Sequence, residues 1–154
     1  MSTTEKNLNV FQSDLHVLEA KLYHFHWFVK GKEFFRLHET FEELYEEAHT
    51  LIDDIAERTL QIGGKPLSSM SQYLQHTTLE EETRDLHADD MVQYLVEDFE
   101  HLISNLKGYT DTAANEDDKV TEDMLIAVMA SFEKTIWMLH AYMGSDVRVK
   151  SRVS

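Results

Sequence analysis

The sequence predicts an all-α protein, a bundle of four long helices with one longer connection between the second and the third. Two observations carry this. Apolar residues recur at every third or fourth position over four long stretches, which is helical spacing, and no stretch argues for strands. Only one proline and five glycines punctuate 154 residues, as long helices with few loops require.

The first helix is predicted from Leu8 to Val29, where Leu8, Phe11, Leu15, Leu18, Leu22, Phe25 and Val29 form the stripe. Residues 1–6 ahead of it read as a short flexible arm, and "KGKE" around Gly31 ends it. The second runs from Phe34 to Ile62, with Phe41, Leu44, Ala48, Leu51, Ile55 and Ile62 on one stripe, and stops at Gly63, Gly64 and Pro66. "PLSSMSQYLQHTTL" fits a short connecting helix. The third long helix spans Asp89 to Lys107, with Met91, Leu95, Phe99, Leu102 and Leu106 inward and acids in its first turn to suit the dipole. "GYTDTAANEDDK" reads as a loop, and the fourth helix runs from Thr121 to Gly144, with Trp137 and its methionines as core. Residues 145–154 are left as a short basic tail on a single domain spanning residues 1–154. This order of elements makes a ferritin-like four-helix bundle, with a short extra helix between the second and third long ones, the expected architecture.

Charge narrows the partners. Acidic residues number 29 against 14 basic ones, a formal charge of -15, which disfavours a duplex nucleic acid or an anionic membrane and favours cations. With no cysteine, thiolate metal sites and disulfides are excluded, and a reducing compartment is expected. The longest apolar run, Met124 to Ala130, is too short to span a bilayer, and the amino terminus lacks a basic-then-apolar leader. A soluble, cytoplasmic chain with no membrane partner is the expectation.

The second helix, "LHETFEELYEEAHTLIDDIAER" from Leu37 to Arg58, holds more acid than solubility needs. With His38 at zero and about 100° per residue, Glu42 falls near 40°, Asp53 near 60° and Glu57 near 100°, one face beside the core stripe. Imidazole with carboxylate suits iron, manganese or zinc. Glu42 and Asp53 are separated by roughly 16 Å along the axis, so one helix cannot close them on one ion. Two copies packed antiparallel across a twofold axis can, because one register sets His38 opposite Glu57 and Glu42 opposite Asp53. The same register sets Glu46 opposite His49 near the axis, either as an interface ion pair or as an accessory metal position. The competing reading is a solvated acidic face. His16, His24, His76, His87, His101 and His140 lack such carboxylate spacing and read as surface or core-edge residues.

Upstream lies "HFHWFVKGKEFFRLHE", and from Asp53 follows "DDIAERTLQIGGKPLSSMSQYL". Together with "VTEDMLIAVMASFEKTIWMLHAYMG" near the carboxyl end, these motifs resemble the Dps family, the mini-ferritins called DNA-binding proteins from starved cells, in the branch typical of Gram-positive bacteria. The resemblance covers nearly the whole chain. It implies a hollow homododecamer with ferroxidase sites at twofold interfaces. His26, His38 and Glu42 match one subunit's contribution, and Asp53 and Glu57 match its neighbour's. Trp27 matches the tryptophan beside the family's site, thought to quench oxidising equivalents. The family usually has aspartate where Glu42 stands, so the longer arm shifts the weaker iron position.

By the same resemblance, Fe(II) is oxidised preferentially by hydrogen peroxide and stored as Fe(III) mineral, protecting the cell from oxidative damage; zinc or manganese are alternative occupants. Asp123 matches an acid of the family's threefold pore, whereas Lys119 replaces a second one, with Glu116, Asp117 and Asp118 nearby. The rival expectation is a DNA-coating protein. For that role the amino arm offers only Lys6 and the tail a small basic patch of Arg148, Lys150 and Arg152, so against -15 per chain DNA binding is expected to be weak or absent.

Overall fold

The computed structural model describes residues 2–145, so Arg148, Lys150 and Arg152 lie outside the described residues. Five helices and no strand occur among the described residues: α1 Thr3–Phe28, α2 Phe34–Gln61, α3 Met70–His76, α4 Ala88–Asn115 and α5 Lys119–Tyr142. The chain divides into two compact units, Met1–Met91 and Val92–Ser154.

In the first unit, α1 and α2 pack as a hairpin, turning through Gly31 at a φ of 108°, a left-handed conformation that glycine adopts without strain. The predicted stripe of α1 is buried along its length from Leu8 to Phe25, as are Phe41, Ala48 and Ile55 of α2. Helix α1 starts at Thr3, not after Asn7, which corrects the expected flexible arm. Ser2 caps it by accepting from the Glu5 N–H at 3.0 Å. Its first turns are clamped to the segment after α2. The Glu5 carboxylate accepts from the Lys65 N–H at 3.2 Å, and Asn9 donates to the Lys65 carbonyl at 3.1 Å while accepting from the Leu67 N–H at 3.0 Å. Gly64 permits this approach, since a Cβ there would lie 2.6 Å from the Glu5 side chain.

The short helix α3 confirms the expected connection. Its exit is fixed by Asp14 of α1, whose wholly buried carboxylate accepts from the Thr77 hydroxyl at 2.6 Å, the Thr78 hydroxyl at 2.7 Å, the Leu79 N–H at 3.2 Å and the Thr78 N–H. Four donors on one carboxylate offset the cost of burying its charge.

In the second unit, α4 continues past Lys107 through Gly108 to Asn115, so most of the segment expected as a loop is helix. The apolar stripe thins there to Ala113, which is buried, while Thr110 and Thr112 donate back to the Lys107 and Gly108 carbonyls at 2.8 and 3.1 Å. The chain then reverses at Asp117, with φ of 59°, and Asp118 caps α5 by accepting from the Thr121 N–H and hydroxyl at 3.0 and 2.6 Å. Leu125, Val128, Phe132, Ile136 and Leu139 form the buried stripe of α5, and Phe132 meets Phe99 edge to face at 5.0 Å between ring centres. Trp137 and Met138 fall on the other side and are 60% and 54% exposed, which corrects their assignment to the core. By length and mean hydropathy of 1.2 alone, α5 is long and apolar enough to cross a bilayer. Its single buried stripe is the pattern of a bundle helix.

Candidate metal centre

The hairpin between α1 and α2 brings His26, near the end of one helix, against His38, in the second turn of the next. Their rings stack at 3.6 Å between centres and 13° between planes. His26 Nδ1 donates to the His38 carbonyl at 2.6 Å, and His38 Nδ1 donates to the His26 carbonyl at 2.8 Å. A carbonyl oxygen can only accept, so each Nδ1 holds a hydrogen and Nε2 is the ring nitrogen left to take a metal. Fixing one nitrogen to prepare the other is how proteins orient imidazole ligands. Phe34 stacks on the far side of His38 at 4.8 Å.

Glu42 lies one turn beyond His38, the i+4 spacing that shares a face. Its Oε1 stands 3.8 Å from His26 Nε2, too far for a hydrogen bond. Two donors on one ion at metal–ligand distances of about 2.0 to 2.2 Å sit roughly 3 to 3.5 Å apart, so the gap needs only a small closure for both to serve one ion. His26 is 7% exposed, so its ring is largely shielded from solvent.

An aromatic row adjoins it. Tyr45 meets the His26 ring edge-on at 5.3 Å, Tyr23 stacks on Tyr45 at 4.2 Å, and Trp27 lies over Tyr23 at 5.4 Å. Burial, then the charge of Glu42, raises the Tyr45 pKa above its ordinary value, so the phenol stays protonated at neutral pH.

Asp53 and Glu57 lie farther along α2, exposed to solvent. A single chain therefore brings together His26, His38 and Glu42 but not the two later acids. Among the described residues, no group of three histidine, aspartate or glutamate side chains is placed to hold a metal ion within one chain. Asp123 and Glu46 are exposed as well. His49, expected to face only Glu46 of a second copy, already has a partner in its own chain: its Nδ1 is 2.9 Å from Glu19 Oε2. Sequence spacing missed Glu19. The signal was available in the hairpin register, because joining His26 to His38 carries Glu19 of α1 toward the middle of α2. Nearby, His16 stacks on Tyr73 at 3.7 Å, and burial lowers its pKa against the opposing pull of Glu19.

A family model described as ferritin-like domain matches residues 5–149. The chain is 45% identical over 137 residues to DNA protection during starvation protein 2 of Bacillus anthracis, spanning 89% of this chain and 94% of that one. This chain belongs to the Dps family of ferritin-like proteins. General stress protein 20U of Bacillus subtilis is also 45% identical, over 83% of this chain and 88% of the relative. Among solved Dps structures, that from Staphylococcus aureus superposes with a TM-score of 0.89 at 38% identity, covering 91% of this chain and 94% of that chain. A Dps from Listeria innocua soaked with zinc superposes at 0.90 with 37% identity, over 93% and 97%. The five helices of this Dps chain, with short α3 between α2 and α4, are thus the ferritin-like bundle with its extra helix.

Proposed function

We propose that this Dps chain is a mini-ferritin ferroxidase that oxidises Fe(II), preferentially with hydrogen peroxide, at sites completed by two subunits, and stores the Fe(III) inside a homododecamer. The observation that carries this reading is the pair of imidazoles locked through Nδ1, with Glu42 Oε1 3.8 Å from His26 Nε2. Iron enters as substrate. Two nitrogens and one carboxylate from one chain leave positions open, and Asp53 and Glu57 of an antiparallel neighbour supply the remaining oxygen donors. Carboxylates stabilise Fe(III) over Fe(II), because hard oxygen anions favour the higher charge, and this lowers the cost of electron loss. Zinc and manganese suit the same donors and compete for them.

Trp27, reached from the site through Tyr45 and Tyr23, takes up stray oxidising equivalents. Asp123, helped by Glu116, Asp117 and Asp118, draws cations toward the threefold pore despite Lys119. The protein works in the cytoplasm, where its store lowers the iron available for radical chemistry. The names of the relatives from Bacillus anthracis and other bacteria refer to DNA protection. At -15 per chain, protection here comes from removing iron and peroxide, with DNA binding weak or absent.

Stopped-flow absorbance on the purified assembly tests the reading. Fe(II) oxidation is expected to be faster with peroxide than with air; equal or slower oxidation with peroxide overturns the peroxide-consuming role.

A further inference from the structure

We propose a second cation site on the twofold axis between paired α2 helices, with His49 and Glu46 of both chains as its ligands and Glu19 as the residue that positions each imidazole. The proposal rests on the antiparallel pairing in the proposed function and adds to it a site in which iron oxidation takes no part.

The first observation is the tie between His49 Nδ1 and Glu19 Oε2 at 2.9 Å. A carboxylate accepts, so Nδ1 holds a hydrogen and Nε2 is the ring nitrogen left to take a metal. The Glu19 side chain is only 17% exposed and held within the hairpin, whereas His49 is 76% exposed. The anchored nitrogen therefore lies inward and the imidazole body outward, the carboxylate–histidine arrangement that orients metal ligands. The same division of nitrogens occurs in His26 and His38, where carbonyls replace the carboxylate.

The second observation is placement. At about 100° per residue, Glu46 falls near 80° and His49 near 20° from His38, inside the arc from His38 to Glu57. Both side chains are exposed. In the register that faces His38 with Glu57 and Glu42 with Asp53, Glu46 faces His49, and this innermost pair lies beside the axis. Symmetry then brings two imidazole nitrogens and two carboxylates to one place. Four such donors are a tetrahedral set for a borderline divalent ion such as Zn(II) or Co(II). No electron transfer is involved, since the bound ion links two chains.

Co(II) is the probe, because four-coordinate Co(II) absorbs strongly in the visible. It is titrated into assembled protein bearing His26→Ala and His38→Ala, which removes the imidazoles of the oxidation site. The expected result is one tetrahedral Co(II) for every two chains, abolished by adding His49→Gln and weakened about 10- to 100-fold by adding Glu19→Ala. No visible band, a band that survives His49→Gln, or one ion per chain overturns the axial site. If chains carrying complementary damage still restore iron oxidation when mixed, a missing band rejects the axial site alone. If they do not, the pairing fails and the axial site with it.

Discussion

His26 and His38 hold each other in place: each ring donates to the other's backbone carbonyl, at 2.6 and 2.8 Å, while the two rings stack. Each acceptor is a backbone carbonyl that survives loss of its own ring, so removing one ring takes from the other only its stacking partner. The two are coupled instead because both serve one proposed iron site. His26→Ala and His38→Ala are therefore expected to be strongly non-additive. Either single variant should lose nearly as much Fe(II) oxidation as the double variant, as initial rates by stopped flow would show. Losses that multiply would mean the rings act independently.

Asp14 should be among the most costly side chains to remove although it touches no metal. Its carboxylate is wholly buried and satisfies donors from Thr77, Thr78 and Leu79 at the exit of α3. Asp14→Ala leaves those donors unpaired and is expected to lower stability by roughly 2 to 4 kcal/mol. Urea unfolding of the purified variant would measure it, and a loss within error of zero would show that water replaces the carboxylate.

Acid should loosen the segment between α3 and α4. Bonds from the Arg84 guanidinium, at 2.7 and 2.9 Å, hold the Glu82 carboxyl down to about 2. A depressed carboxyl contributes stability that is complete above its ordinary value of 4.5 and is lost as pH falls toward 2. Arg84 is 61% exposed, so solvent screens the pair and the effect is modest. Arg84→Met should raise the midpoint of acid unfolding. An unchanged midpoint would mean that Glu82 keeps its low pKa without Arg84.

Trp27, joined to His26 through Tyr23 and Tyr45, should protect against incomplete peroxide chemistry. Trp27→Phe is expected to leave Fe(II) oxidation within about twofold while increasing hydroxyl-radical adducts on an added spin trap. Unchanged adduct yield would assign Trp27 to packing.

Much of this was legible in the sequence because periodicity and spacing are local. The stripes from Leu8 to Phe25 and from Phe41 to Ile55 found α1 and α2, and the placing of His38, Glu42, Asp53 and Glu57 on one face follows from helix geometry alone. The end of α4, from Gly108 to Asn115, was missed because its hold on the core falls to Ala113, with little apolar pattern left to read. The start of α1 was missed because Glu5 and Asn9 are fixed by Lys65 and Leu67, partners distant in sequence. Trp137 was misplaced for a related reason: in so apolar a helix, hydrophobicity does not single out the inward face. Glu19 required the hairpin register before its contact with His49 could be seen.

The central claim is that each oxidation site takes its histidines from one chain and its later acids from another. Mixed assemblies test it most directly. One variant has His26 and His38 replaced by alanine, and the other has Asp53→Asn and Glu57→Gln. Each alone should be nearly inactive. Co-assembled at equal ratio, random twofold pairing places intact histidines opposite intact acids in about one quarter of the sites, and activity should return to roughly that fraction of wild type. A mixture that stays inactive, although mass spectrometry finds both chains in the same assemblies, would contradict the shared site.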